Sequence, residues 1–162
     1  MQPTPMQPIA KNAISYPVEL KHHLDVEINI PGDKSISHRA LILASQTIGT
    51  SKISNLLESE DVLNTLLALQ KLGIRIEKMQ KKESKLADAT DSTDGTDSAS
   101  YDYIVYGNGT GGLLEPSDML DLGNSGTGVR LLMGLVAPYS FQTYFTGDAS
   151  LQKRDMARVI NP

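Results

Sequence analysis

The stretch SEDVLNTLLALQKLGIRIEKM, Ser59–Met79, decides the fold, because one periodicity gives way to another inside it. Val62, Leu66 and Leu69, with Leu63 and Leu67, recur at the spacing that gathers side chains on one face of an α-helix. Ser59 stands where an N-cap belongs. Glu60 and Asp61 follow in the first turn, where the positive end of the helix dipole favours carboxylates. Lys71 and Gly73 mark the exit, and Ile74–Met79 then reads as a strand. A helix feeding directly into a strand points to a layered fold of both element types.

Toward the N-terminus, Leu24, Val26, Ile28 and Ile30 alternate with Asp25, Glu27 and Asn29, the period of a half-buried strand, until Pro31-Gly32 stops it. Ser35–Ala44 then predicts a helix, entered through Asp33 or Ser35 as cap and ended by Gly49, with a short strand over Ser51–Leu56. Toward the C-terminus, residues 80–100 change character. Lys81, Lys82 and Lys85 give way to Asp88, Asp91, Asp94 and Asp97 among small polar residues, too polar to bury anything, which predicts an insertion between two strands. Tyr101–Tyr106 resumes as a strand paired with Ile74–Met79. The expected class is therefore α/β, in an α+β layered form. An extended, proline-bearing segment occupies 1–23 and the folded domain 24–162, with the polar insertion at 80–100.

Composition sets the outer bounds. A chain of 162 residues, 40% hydrophobic and 21% charged, suits one globular domain and excludes collagen-like, fully disordered and coiled-coil classes. Cysteine is absent, which removes disulfides, thiol nucleophiles and zinc–thiolate sites. A net charge of -4 argues against non-specific nucleic-acid binding. No apolar run reaches membrane-spanning length, and Met1–Ala10 carries three prolines and no signal-type apolar core, so a soluble, cytoplasmic protein without a membrane partner is expected. The glycine-rich run Gly107–Gly112 resembles a dinucleotide fingerprint, but Leu113–Pro116 follow where a helix should begin, so a nucleotide cofactor is rejected. His22 and His23 lack metal-site spacing, His38 falls inside a helix as a packed or exposed histidine rather than a catalytic one, and Asp148 reads as a turn residue.

Charge placement carries the chemistry. Pro31–Leu41 and Leu122–Leu132 align without gaps: Gly32 meets Gly123, Asp33 meets Asn124, Arg39 meets Arg130 and Leu41 meets Leu132. Each is a turn of small polar residues opening an apolar helix with an arginine inside, which suggests a repeated unit. A helix N-terminus already carries partial positive charge, so a cation such as Lys34 costs about 0.3–1 kcal/mol there unless an anion joins it. Backbone N–H groups, the Ser35 hydroxyl and the Lys34 ammonium together suit a phosphate or carboxylate, and Gly126 and Gly128 allow it close approach. The bland alternative leaves Lys34 a solvated turn lysine and Arg39 paired with a surface acid. Lys153, Arg154 and Arg158 form a further basic cluster.

Three motifs turn anion binding into a family expectation. PGDKSISHRA, Pro31–Ala40, resembles the first signature of the 5-enolpyruvylshikimate-3-phosphate synthases, the 3-phosphoshikimate 1-carboxyvinyltransferases. LGNSGTGVRLLMG, Leu122–Gly134, is similar to the second, and GDASLQKR, Gly147–Arg154, to the third, in the family's order. The sister UDP-N-acetylglucosamine enolpyruvyl transferases fit poorly at the first motif. The resemblance implies transfer of the enolpyruvyl group of phosphoenolpyruvate to the 5-hydroxyl of shikimate-3-phosphate, with release of phosphate and with no metal or organic cofactor. It implies that Lys34, Ser35 and Arg39 hold shikimate-3-phosphate, that Lys34 also reaches phosphoenolpyruvate as the catalytic residue, and that Asn124, Gly126, Thr127 and Arg154 line the phosphoenolpyruvate side. Arg130 is expected to support its motif rather than touch substrate.

Two departures accompany the resemblance. Asp155 stands where the family usually has proline after the third-motif arginine, and a carboxylate beside Arg154 predicts weakened phosphoenolpyruvate binding. Family members also run to roughly two and a half times this length, usually as monomers. They place the site between two domains, each of three βαβαββ units, so 24–162 corresponds to about one and a half units of the first. The acid/base carboxylates and the second-domain cations then fall outside the matched region. The alternative is a shortened, non-catalytic remnant that at most binds anions, and a lesser one an unrelated phosphate-binding module.

Overall fold

Asp33 begins the first described helix by folding its own carboxylate back onto the chain: Oδ1 accepts the Ile36 N–H at 2.8 Å. That bond satisfies one of the orphan donors of the first turn and settles Asp33, not Ser35, as the cap of helix α1, Lys34–Ser45. The structure is a computed structural model that describes residues 30–80 and 101–161. The expected N-terminal segment 1–23, the strand expected from Leu24, and the insertion expected at 80–100 lie outside the described residues, apart from Ile30 and Gln80 at their edges.

Helix α1 stops earlier than its glycine suggested. The Thr47 hydroxyl and N–H both donate to the Ala44 carbonyl, at 2.8 and 3.3 Å, so the last turn is closed before Gly49 is reached. Gly49 instead sits inside strand β1, Ile48–Ser54, at φ +101°, a conformation that other residues rarely adopt. Helix α2, Glu60–Lys71, buries Val62, Thr65, Leu66, Ala68 and Leu69. Leu63 is half-buried, but Leu67 is exposed, contrary to its expected place on the apolar face. At about 100° per residue it points roughly 140° away from Val62, outside the buried stripe.

Strands β2, Arg75–Gln80, and β3, Tyr101–Asn108, pair as expected, and the pairing is antiparallel, with Arg75 opposite Tyr106 and Gln80 opposite Tyr101. Strand β1 pairs with the other edge of β3, Ile48 opposite Asn108, giving the order β1-β3-β2. Tyr103 and Val105 of β3 face the core with Leu41, Leu69, Leu72 and Ile74. After the Gly107–Gly112 turn comes loop, not helix.

Two strands too short to read from sequence complete the picture. Strand β4, Leu120–Asp121, and β5, Phe145–Thr146, are parallel, joined through helix α3, Gly126–Val136. A parallel pair needs such a crossover, and the helix buries Val129, Leu132 and Val136. A 3-10 turn, Leu151–Lys153, and a short helix α4, Ala157–Ile160, follow. From Pro31 onward the described residues form one unit of mixed helix and strand. No helix among the described residues is long and apolar enough to cross a membrane.

Candidate active site

The first turns of α1, α2 and α3 meet at one end of the unit and surround a cavity of about 530 Å³. Its lining consists of Asp33, Lys34, Ser35, Asp61, Asn124, Gly126, Thr127, Arg130 and Arg154. Six residues singled out in the sequence are therefore together: Lys34, Ser35, Asn124, Gly126, Thr127 and Arg154. First-turn N–H groups have no partner within their own helices, so two helix starts and three cations converge on the same volume, a suitable environment for an anion. Two carboxylates oppose them. Asp33 is committed to the Ile36 N–H, while Asp61 accepts from Lys34 Nζ at 2.7 Å across the α1–α2 contact. The Lys34–Asp61 pair is partly exposed, so it adds little to stability and is open to exchange with a ligand.

Helix α3 is entered differently from α1. Ser125 caps it, its Oγ accepting the Gly128 N–H at 3.1 Å. The cap thus falls one position later than the alignment of Asp33 with Asn124 implies. Relieved of capping, Asn124 works in the cavity: its Nδ2 donates to Asp148 at 2.7 Å, and its Oδ1 accepts from Arg154 Nη2. Asp148 is more than a turn residue. Its Oδ1 accepts the Leu151 N–H at 2.7 Å, which holds its carboxyl below the usual range, with Asn124 adding to the effect. An ionised Asp148 at neutral pH fixes Asn124, and Asn124 fixes the Arg154 guanidinium.

Gly126 makes room for that guanidinium. A Cβ built there would lie 2.5 Å from Arg154 Nη1, closer than real contacts allow. Gly126→Ala therefore displaces the flexible end of Arg154 and is expected to weaken inorganic phosphate binding about tenfold, one charge-assisted hydrogen bond's worth. Calorimetric titration checks this, and unchanged affinity would show that Arg154 does not reach the anion.

Arg130 and Asp155 depart from their expected parts. Arg130 lines the cavity rather than only supporting its motif, and its Nη2 donates to the Asp155 carbonyl at 3.3 Å. The Asp155 carboxylate turns away to accept the Ala157 N–H at 2.7 Å. No ion pair joins it to Arg154 among the described residues. The weakening expected from that carboxylate thus loses its physical basis. Arg154 has ψ 133°, the extended conformation preferred before proline. Asp155→Pro is expected to leave phosphate affinity within about twofold, because the Arg130 acceptor is a backbone carbonyl that proline retains. A tenfold gain in the same titration would restore the original expectation.

Arg39 lies outside the cavity lining, its Nη1 donating to the Ser35 carbonyl at 3.0 Å. Lys153 and Arg158 are exposed, and of that basic cluster only Arg154 reaches the cavity. Sequence reading missed Asp61 in the site, as it did Arg130 in the lining and Asp148 behind Asn124, since helix capping explained Asp61 and nothing local ties it to Lys34, 27 positions earlier.

Comparison with known proteins converges on one family. The family model for EPSP synthase (3-phosphoshikimate 1-carboxyvinyltransferase) matches residues 18–108 and 95–162. The 3-phosphoshikimate 1-carboxyvinyltransferase of Paramagnetospirillum magneticum is 47% identical over 133 residues, covering 82% of this chain and 26% of its own length. That of Rhodopseudomonas palustris is 41% identical over 162 residues, 100% of this chain and 30% of its own. The solved EPSP synthase from Acinetobacter baumannii superposes with a TM-score of 0.64 at 36% identity, covering 81% of this chain and 26% of that one. The chain spans about a quarter of the length of the relatives it matches.

Proposed function

Because the chain belongs to the EPSP synthase family, we propose that it supplies the cationic, first-domain side of a site that transfers the enolpyruvyl group of phosphoenolpyruvate to the 5-hydroxyl of shikimate-3-phosphate. The supporting observation is the convergence of Lys34, Arg130 and Arg154 with two helix N-termini on one cavity, in a chain whose net charge is -4. Both substrates are polyanions, and a cavity of about 530 Å³ is large enough for a small ligand.

In this reading Lys34 serves both substrates, Ser35 and Arg39 lie on the shikimate-3-phosphate side, and Asn124, Gly126, Thr127 and Arg154 lie on the phosphoenolpyruvate side. Arg39 acts one turn from the cavity, through its bond to the Ser35 carbonyl. The substrate hydroxyl gives up its proton as its oxygen bonds to C2 of phosphoenolpyruvate and C3 gains a proton, giving a tetrahedral ketal. Loss of phosphate and of a C3 proton restores the double bond. Fixed cations at the phosphate and carboxylate stabilise the charge carried through that ketal without reorganising. Proton transfer belongs to groups that the family carries outside the matched quarter. In finer architecture, residues 24–162 form about one and a half βαβαββ units of the first domain.

Titration with phosphoenolpyruvate, shikimate-3-phosphate, a nucleoside triphosphate and a hexose phosphate tests the reading. The first two are expected to bind at least tenfold more tightly than the others. Equal or tighter nucleotide binding would overturn it in favour of a general phosphate module. Phosphate release in the presence of both substrates separates a catalytic chain from one that only binds.

A further inference from the structure

Lys34 and His38 are one turn apart on α1, and Asp61 and Thr65 are one turn apart on α2. They meet as two successive rungs with the same offset of 27 residues: Lys34 Nζ to Asp61 at 2.7 Å, then His38 Nδ1 to Thr65 Oγ1 at 2.8 Å. The upper rung is exposed and opens on the cavity. The lower rung is sealed, with His38 and Thr65 both 0% exposed, and Leu41 and Leu69 are buried a turn below. Helix α3 presses on the same point, since a Cβ at Gly128 would lie 2.8 Å from Thr65 Oγ1 and 2.6 Å from the Ser125 cap. His38 and Thr65 thus occupy the junction beneath the starts of α1 and α3 and the Asp61 turn of α2.

We propose that His38, acting through Thr65, is a positioning residue: it fixes the register of α1 against α2, and so presents the Lys34 ammonium and Asp61 to the cavity. An apolar pair would fill the same space while tolerating sliding, whereas a directional hydrogen bond at the buried level of the contact, beneath the exposed Lys34–Asp61 pair, accepts one register. The rung works in its uncharged form. Burial holds the His38 pKa below its ordinary value, Asp61 opposes that shift, and Lys34 and Arg39 reinforce it. Thr65 Oγ1 also lies 3.3 Å from the Asp61 carbonyl as a donor. With that donation made, His38 Nδ1 carries the proton, and the two rungs are linked through Asp61 itself.

The proposal deepens the anion-site reading and rests on it for its ligand arm, so the experiment has two arms. In the ligand-free arm, NMR follows the Lys34 side-chain resonances on Asp61→Asn substitution in the wild-type, His38→Asn and His38→Leu/Thr65→Val backgrounds. The response is expected in the wild type and in His38→Asn, whose amide can reach Thr65, and is expected to vanish in the apolar double variant. Its persistence there overturns the proposal. In the ligand arm, phosphoenolpyruvate affinity per folded molecule is expected to fall at least tenfold in the double variant and stay within threefold in His38→Asn. An unchanged affinity in the double variant reduces the rung to packing and overturns the proposal. If the wild type binds no phosphoenolpyruvate, the anion reading fails and the ligand-free arm decides alone. Should the double variant not fold, Thr65→Val compared with His38→Asn decides: a Lys34 response lost in the first and retained in the second supports the rung, and a response retained in Thr65→Val or lost in His38→Asn overturns it.

Discussion

Replacing Lys34 with methionine is expected to lower phosphoenolpyruvate affinity roughly 100-fold, the upper range for loss of a charge-assisted hydrogen bond to a buried or half-buried ligand. Two effects add. The anion loses an ammonium at a position where helix α1 also directs its N-terminal N–H groups. The Asp61 carboxylate, held by Lys34 Nζ at 2.7 Å in the free protein, is left facing the ligand with nothing to neutralise it. Methionine matches the length of the lysine stem, so the fold is expected to keep its unfolding midpoint, Lys34 being exposed. The second effect is separable. In the Lys34→Met/Asp61→Asn double variant, affinity is expected to recover several-fold over Lys34→Met alone, because the repelling carboxylate is gone. Calorimetric titration of the three proteins checks both statements. A Lys34→Met protein that binds like the wild type would remove lysine from the site.

Leu69→Ala is expected to cost about 2–5 kcal/mol of stability, the usual range for emptying a core leucine. Leu69 is 0% exposed and lies between α2 and the sheet, with Leu41 and Leu72 in the same core. The surrounding helices are joined near their middles, one turn away, by the His38–Thr65 bond, which limits collapse around the void. Two positions earlier on the same helix, Leu67→Ala is expected to change stability by no more than ~0.5 kcal/mol, because that side chain is already in solvent. Urea unfolding of both variants distinguishes the buried stripe from its flank. Similar losses for the two would place α2 differently on the sheet.

The contrast between Leu69 and Leu67 shows what was legible in the sequence. Periodicity located α2 and its stripe, and the change of period at Gly73 located β2 and its pairing with β3, because these signals are local. The edge of the stripe was blurred, since five leucine and valine residues in eight positions overfill one face. Strands β4 and β5 offered no period at all. Each has two residues, and what makes them strands is the parallel pairing created when α3 returns the chain.

The site was legible where chemistry is written into motifs and opaque where it depends on contact between helices. Lys34, Ser35 and Gly126 were read from turns that open helices, whereas Asn124, Thr127 and Arg154 entered through the resemblance of the second and third motifs. Asp61 had a sufficient local explanation as a first-turn acid, and its contact with Lys34 exists only because α1 and α2 lie side by side. Asn124 and Ser125 are both good caps, and sequence does not say which one caps. The structure gives that role to Ser125, and so releases Asn124 to hold Arg154. Gly49 followed the rule that glycine ends helices, but the Thr47 bonds to the Ala44 carbonyl had already ended this one.

The most direct measurement is an amide and guanidinium NMR titration of the chain with phosphoenolpyruvate. The backbone signals of Lys34, Ser35, Gly126 and Thr127 and the Nε signals of Arg130 and Arg154 are expected to move together and saturate at one ligand concentration. Shifts confined to the separate groove lined by Glu60, Asn64, Lys71 and Asp121, or no saturable shift anywhere, would contradict that expectation.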